Sequence, residues 1–372
     1  MRKVLLGDIC KPKQWKTIST SMLTEEGYSV YGANGVIGKY SEYNHKEETL
    51  LVTCRGATCG RLNICEPYSY VNGNAMALDD LDESVDIRYL YYVLKERGFK
   101  DVISGSAQPQ IIRSTLEKIP ILIGTKTEQK EIVRKLALID KCIKGRKSEL
   151  RQLDGLIKSR FVEMFGDMFL NTMRWNEHPL ESMADIVSGI TKGRKIKEQS
   201  MIKVPYMAVS NVKDGYIDWT TVKTIEATER EIEQYRLLPD DVLMTEGGDP
   251  DKLGRGAIIK EPLENCIHQN HIFRVRLNES MILPIFFAEY LKHQKSKRYF
   301  LGCAKQTTGI ASINMRQLKA LPVLLPPLEL QERFVTFVAQ TDKSKLTIQK
   351  SLDELEILNK ALMQKYFGGN EV

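Results

Sequence analysis

Two stretches of the chain carry apolar side chains with the spacing of a helix that buries one stripe. In the first stretch apolar residues recur every seven positions, at Leu136, Ile143, Leu150, Ile157 and Met164. In the second they recur at Ile348, Leu355 and Leu362, with Leu352, Leu358 and Tyr366 alongside. No proline lies between Pro120 and Pro179 or after Pro327, so each stretch has room for a long helix. We expect the two helices to pair with each other, because both exceed what a small domain can cover; the alternative is two separate helices, each packed on its own domain.

The chain before each predicted helix has the short apolar runs and glycine turns of a strand-rich domain. The first set of runs covers residues 31–39, 50–56 and 71–75, and the second covers 204–207, 214–219, 241–245 and 271–275. A shorter helix is predicted after each set, at about 86–97 and near 284–297. Each set therefore predicts a mixed α/β domain.

The two helical stretches are copies of one sequence unit, at a constant offset of 202 residues. Matching pairs include Leu116 with Leu318, Pro120 with Pro322, Gln129 with Gln331, Asp140 with Asp342, and Phe165-Gly166 with Phe367-Gly368. Proline, glutamine and Phe-Gly lie outside any apolar repeat, so shared helical periodicity does not explain the match. Asp8-Ile9 and Asp185-Ile186 open the two copies at an offset of 177, which predicts a second variable segment longer by about 25 residues.

Together these patterns predict an α+β protein with two mixed α/β domains in tandem. Long helices separate the domains and form an antiparallel coiled coil with pseudo-two-fold symmetry. The predicted boundaries place the first domain at 1–115, the first helical spacer at 116–170, the second domain at 171–317 and the second spacer at 318–372.

Composition narrows the class of protein. With 372 residues, 42% hydrophobic and 27% charged, the chain has the length of two soluble domains. It has no apolar run near the roughly 18 residues that cross a bilayer and no signal-peptide core, so we expect a cytoplasmic protein without membrane contact. Seven cysteines without a Cys-x-x-Cys pair indicate neither a disulfide framework nor a zinc site, and we expect no metal and no cofactor.

The net charge of +6 is unevenly distributed. Residues 1–108 hold 13 Lys+Arg against 14 Asp+Glu, and residues 177–311 hold 19 of each, so the excess lies in the helical stretches. If the mixed domains bind nucleic acid, they must gather positive charge on one face.

Polar side chains at the predicted loop tips are candidates for DNA contact, because Asn, Gln, Arg and Lys pair with base edges or touch phosphates. In the first domain the candidates are Asn34, Lys39, Arg55, Asn72, Asn74, Ser106 and Gln108. In the second they are Lys192, Arg194, Lys195, Asn211, Lys213, Arg255, Gln269, Asn270, Gln306 and Thr307. The basic run at 192–197 has two interpretations of equal weight, a solvated loop or a phosphate clamp. Any single glycine turn is as often a simple turn as part of a binding surface.

With these segments in order, nearly the whole chain resembles the specificity subunits of type I restriction-modification systems. The most specific marks are LPVLLPPLELQER at residues 321–333 and PYMAVSNV at 205–212 followed by Asp214-Gly215. LMTEGG at 243–248 and YGANGVIG at 31–38 resemble the family's strands and glycine turns. The first copy departs at 123–129, where the double proline is missing but Gln129 keeps its place.

The resemblance implies that each mixed domain is a target recognition domain for one half of a bipartite double-stranded DNA site. The helices would set the gap between the half-sites and dock two methylation subunits, with restriction subunits in the full complex. A helix over about 128–165 would be roughly 57 Å long, which exceeds the 34 to 36 Å or so between half-sites of dimeric DNA-binding proteins. Methylation and cleavage would then belong to partner chains, and this chain would not be an enzyme.

The absence of catalytic signatures agrees with that expectation. The sequence has no Asn-Pro-Pro-Phe/Tyr methyltransferase box, no Gly-x-x-x-x-Gly-Lys-Ser/Thr phosphate loop and no Gly-x-Ser-x-Gly elbow. Residues 249–252, DPDK, faintly resemble a nuclease motif, but carboxylates in a glycine-rich loop are more often turn formers. Two alternatives stay open: a non-catalytic helical scaffold that joins protein partners without DNA sequence readout, and the recognition part of a longer restriction enzyme, against which the ending at 367–372 argues.

Overall fold

A computed structural model describes residues 2–105, 107–194, 200–248, 253–307 and 310–368. The chain divides into two compact units, in which unit 1 comprises Met1–Ser148 and Ile348–Val372 and unit 2 comprises Glu149–Thr347. Each unit thus contains one mixed α/β region and parts of both long helical stretches. The narrower limits predicted for the recognition domains and spacers stay a prediction.

Unit 1 is built on an antiparallel sheet of strand order β2-β8-β5-β6 and a smaller sheet of order β4-β3-β7, in which β3 and β7 are parallel. A separate antiparallel pair joins β1 to β9. The strands are β1 (Arg2–Leu5), β2 (Lys11–Gln14), β3 (Tyr28–Gly32), β4 (Gly35–Tyr40), β5 (Thr49–Thr53), β6 (Leu62–Cys65), β7 (Tyr70–Val71), β8 (Ala75–Asp79) and β9 (Pro120–Ile123). The helices are α1 (Leu6–Ile9), α2 (Ile87–Arg97), α3 (Arg113–Leu116) and the first long helix, α4 (Lys126–Phe165).

Unit 2 repeats this strand order with one addition. Its sheets are β11-β18-β14-β16, β13-β12-β17 with β12 and β17 parallel, the pair β10-β21, and a further sheet β15-β20-β19. The strands are β10 (Asn176–Pro179), β11 (Ala184–Ser188), β12 (Ile202–Met207), β13 (Lys223–Ala227), β14 (Val242–Thr245), β15 (Gly247–Gly248), β16 (Gly256–Ile258), β17 (Ile267–His268), β18 (Ile272–Leu277), β19 (Lys305–Thr307), β20 (Ile310–Ser312) and β21 (Pro322–Leu325). The helices are α5 (Glu229–Tyr235), α6 (Pro284–Lys292), α7 (Gln294–Cys303), α8 (Met315–Lys319) and the second long helix, α9 (Leu328–Phe367).

The duplication therefore extends into the segments that differ in sequence. The added sheet has a shorter counterpart in unit 1, where Gln110 forms isolated bridges with Arg55 and with Ser104. The predicted α+β class, with two tandem mixed domains and long helices, is confirmed.

The opening of the second copy lies three residues earlier than predicted, at an offset of 174 rather than 177 from the first. The Leu6 amide donates to the Ile119 carbonyl (2.8 Å), and the Leu180 amide donates to the Leu321 carbonyl (3.0 Å). Because Ile119 and Leu321 are equivalent by the 202-residue offset, Leu6 is equivalent to Leu180. The Asp-Ile match at 177 was wrong because Asp8-Ile9 lies in α1 while Asp185-Ile186 lies in β11.

In unit 1 the start of α4 lies antiparallel to the end of α9. The Asn359 amide donates to Asp140 (3.3 Å), and Lys147 forms an ion pair with Glu356 (2.7 Å). As the residue number rises along one helix it falls along the other.

Unit 2 shows the same arrangement between the end of α4 and the start of α9. Lys345 forms an ion pair with Asp154 (2.7 Å), and the rings of Phe161 and Phe334 lie 5.4 Å apart. The antiparallel pairing of the two helices is thus confirmed, while the pseudo-two-fold axis stays a prediction.

The repeated Phe-Gly dipeptides close the two cores. In unit 1 the buried Phe367 meets the Tyr89 ring at 5.6 Å. In unit 2 the buried Phe165 meets Phe286 at 4.8 Å and Phe334 at 5.4 Å. Each phenylalanine ends one long helix and completes the core around the start of the other, which explains why the dipeptide recurs where helical periodicity alone does not require it.

Gln129 and Gln331 also have one shared role. Both side chains are fully buried, and each joins the start of a long helix to the turn before α2 or α6 through three backbone hydrogen bonds. The partners are Asp86 N, Ser84 O and Gly124 O for Gln129, and Leu283 N, Met281 O and Pro326 O for Gln331. A buried amide that accepts one bond and donates two satisfies otherwise unpaired backbone groups, so the glutamine persists where the double proline does not.

Candidate nucleic-acid interface

The loop edge of unit 1 is formed by residues 33–35, 54–56, 72–74 and 107–110, which lie together at one end of the sheets. Backbone carbonyls of three of these loops accept hydrogen bonds from the end of β5 and the loop that follows it. The bonds run from Cys54 N to Asn74 O (3.1 Å), from Gly56 N to Pro109 O (3.0 Å) and from Thr53 Oγ1 to Ala33 O (2.6 Å).

Four of the predicted DNA contacts lie on this edge with exposed side chains: Asn34, Arg55, Asn74 and Gln108. Among the described residues, none of these four side chains has a hydrogen-bond or ion-pair partner. They are of the types that pair bidentately with base edges, and the structure brings them together from four separate loops.

The remaining candidates of the first domain do not present a free side chain on this edge. Asn72 is 3% exposed, and its amide bonds to Ile18 O (3.2 Å) and Gly73 N (2.8 Å), so it holds the loop rather than facing solvent. Lys39 is exposed near the far end of β4. Ser106 lies outside the described residues.

The loop edge of unit 2 is formed by residues 188–190, 207–209, 246–248, 269–271 and 311–313. These loops are also joined through backbone hydrogen bonds. The bonds run from Glu246 N to His271 O (3.0 Å), from Gln269 N to Met207 O (3.0 Å), from Asn270 N to Ile190 O (3.1 Å) and from Ile313 N to Glu246 O (2.9 Å).

Matching bonds make positions of the two edges equivalent. The bonds Cys54–Asn74, Asn72–Tyr31, Ala75–Asn72 and Ile111–Cys54 of unit 1 recur as Glu246–His271, Gln269–Met207, Ile272–Gln269 and Ile313–Glu246 of unit 2. Cys54 is therefore equivalent to Glu246, Asn74 to His271 and Arg55 to Gly247.

The side chains at these equivalent positions differ. Cys54 is buried and accepts a hydrogen bond from the Gln14 amide (3.0 Å), and burial raises the pKa of its thiol. Glu246 instead bonds to His271, with side chains one-third and more than half exposed. Glu246 and His271 were not among the predicted contacts, although Gln269 and Asn270 beside them were.

Arg194 is held by an internal ion pair. Its guanidinium makes two 2.6 Å bonds to the Glu231 carboxylate and a third to the Glu226 carbonyl (3.1 Å). The bond from Arg194 is the main cause that lowers the pKa of Glu231. Of the basic run, Lys192 remains exposed, and Lys195 lies outside the described residues.

Asn211 is fully buried and has a role within the fold. It accepts from the Ala208 amide (2.9 Å) and donates to the Asp218 carbonyl (2.9 Å), which fixes the turn after β12. Lys213 lies half-buried beyond that turn.

The last predicted contacts lie on the loop edge of unit 2 or pair with the strand that leads into it. Gln269 and Asn270 are half-buried, and the Asn270 carbonyl accepts from the Ser188 hydroxyl (2.6 Å). Gln306 and Thr307 pair with Ala311 and Ile310 in the added sheet. The nuclease-like residues 249–252 lie outside the described residues.

Arg255 has an equivalent that the sequence interpretation missed. The Thr245 amide bonds to the Arg255 carbonyl (3.3 Å), as the Thr53 amide bonds to the Arg61 carbonyl (2.8 Å). The signal was present, since Gly-Arg precedes both β6 and β16 with an isoleucine three residues after the arginine.

A metal or membrane role finds no site in the part of the chain that the structure describes. There, no three His, Cys, Asp or Glu side chains are grouped as metal ligands would be. The described helices also lack the combination of length and hydrophobicity that a membrane-spanning helix needs.

Comparison with known proteins decides the family. The family model for the type I restriction modification DNA specificity domain matches residues 1–153 and again residues 173–357. The chain belongs to this family. The two matches fall on the two halves of the duplication.

Relatives agree with the family match. A Methanocaldococcus jannaschii protein named as the MjaX type I restriction enzyme specificity subunit is 30% identical over 190 residues, which cover 50% of this chain and 45% of that protein. The EcoKI specificity subunit of Escherichia coli K12 is 25% identical over 302 residues, covering 76% of this chain and 65% of that protein. The chain thus spans about half to two thirds of the length of these relatives. A type I restriction-modification S subunit from M. genitalium, 18% identical, shares the fold with a TM-score of 0.61, covering 98% of this chain and 95% of that one.

Proposed function

We propose that this chain is the DNA sequence-recognition subunit of a type I restriction-modification enzyme. Each unit recognises one half of a bipartite site through its loop edge. The long helices set the spacing between the half-sites and dock methylation subunits, while methylation and cleavage belong to partner chains.

The observation that carries this proposal is that the two loop edges share their backbone hydrogen bonds but differ in their side chains. Recognition of an asymmetric site needs the same approach to DNA at both half-sites but different base contacts. Arg55 and Asn74 present a cation and an amide in unit 1, whereas the equivalent positions in unit 2 are Gly247 and His271. The family assignment supports DNA as the ligand.

The long helices support the spacing and docking roles. Each has 40 residues, which corresponds to about 60 Å at 1.5 Å per residue. Leu156 and Leu358, equivalent by the 202-residue offset, are 48% and 47% exposed. An apolar side chain repeated on the solvent face of both helices suits a partner that binds each helix alike.

The spacing role predicts the effect of lengthening both helices at one level. Four residues inserted after Lys147 and four after Ser351 fall between the Asp140–Asn359 and Asp154–Lys345 contacts. They extend the pair by about 6 Å, or nearly two base pairs at about 3.4 Å each. Mapping of methylated adenines in cells that carry the variant should show a longer spacer between unchanged half-sites.

The insertion turns each helix about 40° beyond a full turn, so reduced methylation at each site is expected as well. An unchanged spacer, or altered bases in a half-site, would contradict the division between helices that measure and loops that recognise. If deletion of the gene leaves the methylation pattern intact and the purified complex binds all duplexes equally, the alternative of a protein scaffold without sequence readout is correct.

A further inference from the structure

Arg61 and Arg255 occupy one position in both units. Each follows a glycine in the left-handed region of backbone space, Gly60 at φ +87° and Gly254 at φ +72°. Each also has its carbonyl fixed by the amide of the last residue of the preceding strand, β5 or β14. The two arginines are therefore presented by the same turn.

The turn is seated on an aromatic ring in both units. A Cβ added at Gly60 would lie 3.2 Å from Phe99 Cδ2, and one added at Gly254 would overlap the Phe300 ring. Both rings are buried, so each provides a fixed base beneath the turn. The glycine adopts a backbone conformation that other residues rarely take, and it lies against a fixed ring. The backbone of the arginine that follows therefore has little freedom.

Neither guanidinium is used within the described part of the fold. The Arg61 side chain is exposed and has no ion-pair or hydrogen-bond partner there. The Arg255 Nε atom is buried without an acceptor among the described residues. Among the described residues, a cavity of about 260 Å³ next to Arg255 is also lined by Lys292, Lys297 and the carboxylate of Asp214.

We propose that Arg61 and Arg255 each grip a phosphate of the DNA backbone, at equivalent places in the two half-sites. This inference rests on the proposed function. The phosphate backbone is the same at every sequence, so contacts to it can use one residue type at one position in both units. Base contacts must differ, and the edge positions Arg55 and Glu246 do differ from their equivalents. The sequence listed Arg255 as a DNA contact to a base edge or a phosphate, and this inference chooses the phosphate.

The test measures affinity against salt for the purified chain, or its complex with methylation subunits, on a duplex carrying the mapped site and on duplexes altered in each half-site. The logarithm of the association constant falls linearly with the logarithm of the salt concentration. Arg61→Ala and Arg255→Ala should each make this slope less steep by about 0.9, the value for one phosphate contact on duplex DNA. The fold-loss of affinity should be the same on every duplex. Arg61→Lys and Arg255→Lys should restore the slope, because a phosphate accepts a point charge where a guanine edge needs the bidentate fork.

Arg88→Ala is the matched control. Arg88 is an exposed arginine that pairs with Glu48 (2.9 Å), just before the other end of β5. Its loss changes the net charge equally without removing a proposed phosphate contact. The inference is overturned if Arg88→Ala lowers the slope as much as Arg61→Ala does. It is also overturned if the arginine variants keep the slope but change the preference at one base pair. Failure of the proposed function would give a different result, because the wild-type protein would then bind every duplex with equal affinity.

Discussion

The two loop edges agree in backbone and disagree in side chains. The backbones of Cys54 and Glu246 each donate to and accept from equivalent neighbouring loops, yet one side chain is a buried thiol and the other a half-buried carboxylate bonded to His271. Arg55 has Gly247 as its equivalent. The backbone hydrogen bonds need no particular side chain, so the edge can change its chemistry while its loops stay in place.

The cores behave in the opposite way. Phe165 and Phe367 fill equivalent positions, and Gln129 and Gln331 make equivalent bonds, because packing and buried hydrogen bonds depend on the side chain itself. Recurring core positions therefore reflect the fold, whereas the differing positions of the loop edge are the proposed base contacts.

The largest effect is expected where a shared core residue is removed. Phe367→Ala should lower the free energy of unfolding of unit 1 by about 3 to 5 kcal/mol, because a buried ring leaves a cavity. Phe165→Ala should do the same to unit 2. Amide hydrogen exchange followed by peptide should show loss of protection around Tyr89 for the first variant and around Phe286 for the second.

Each variant is the control for the other. The comparison would fail if Phe367→Ala reduced protection around Phe286 while Tyr89 kept its own. That result would mean that the end of α9 does not complete unit 1.

A smaller effect is expected where the edges differ. Arg55→Ala should reduce discrimination at one base pair of one half-site by about 1 to 3 kcal/mol, the range for a bidentate contact to a base. Glu246→Gln should relax the preference at one base pair of the other half-site, because a carboxylate only accepts hydrogen bonds whereas an amide also donates. Binding to a panel of duplexes with single base-pair changes measures both effects.

The duplexes altered in the half-site of the other unit serve as controls and should keep their affinities. If Arg55→Ala instead weakens binding to every duplex by the same factor, Arg55 contacts phosphate. The contrast between the two edges would then lose its main base contact in unit 1.

Much of the fold follows from sequence because its signals are periodic or repeated. The heptad spacing predicted both long helices. The 202-residue offset predicted that they are copies, with Gln129 and the Phe-Gly dipeptide each repeated. The opening of the second copy was misplaced because Asp185-Ile186 imitates Asp8-Ile9 while lying in a strand. Two residues carry too little pattern to fix a register.

The candidate site was predicted less completely. Residue type and loop position selected Arg55 and Asn74, which lie exposed on the loop edge. They also selected Asn72 and Asn211, whose amides are buried in turns. Side-chain amides suit base edges and tight turns equally, so sequence alone does not separate the two uses. Glu246 was missed because its place on the edge depends on a hydrogen bond from Ile313, which is distant along the chain.

The smallest predicted effect concerns a difference inside the two units. His268 and Val71 are equivalent, since Met207 pairs with His268 as Tyr31 pairs with Val71. Burial, and secondarily the charge of Arg274, lower the pKa of His268 from 6.5 to about 3. Its Nδ1 bonds to the Ile272 carbonyl (3.1 Å), while Nε2 is buried without a partner among the described residues. The ring is therefore neutral in the folded unit.

Because the folded pKa lies below the unfolded one, the unfolded chain binds a proton first as the pH falls. The contribution of His268 to the stability of unit 2 is fully present above about pH 6.5 and is lost as the pH falls from there toward 3. At pH 5.5 the loss from this group should be about 1.4 kcal/mol. His268→Val, which installs the residue of unit 1, should remove that part of the pH dependence.

Urea unfolding followed by tryptophan fluorescence measures the effect in unit 2 when Trp15 is replaced by phenylalanine. The tryptophans that remain, Trp175 and Trp219, both belong to unit 2. His293 also has a pKa lowered by burial, so the difference between His268→Val and its parent isolates the contribution of His268. Equal loss of stability between pH 7 and 5.5 in both proteins would assign the acid sensitivity to another group. The difference between valine in unit 1 and histidine in unit 2 would then not affect how stability depends on pH.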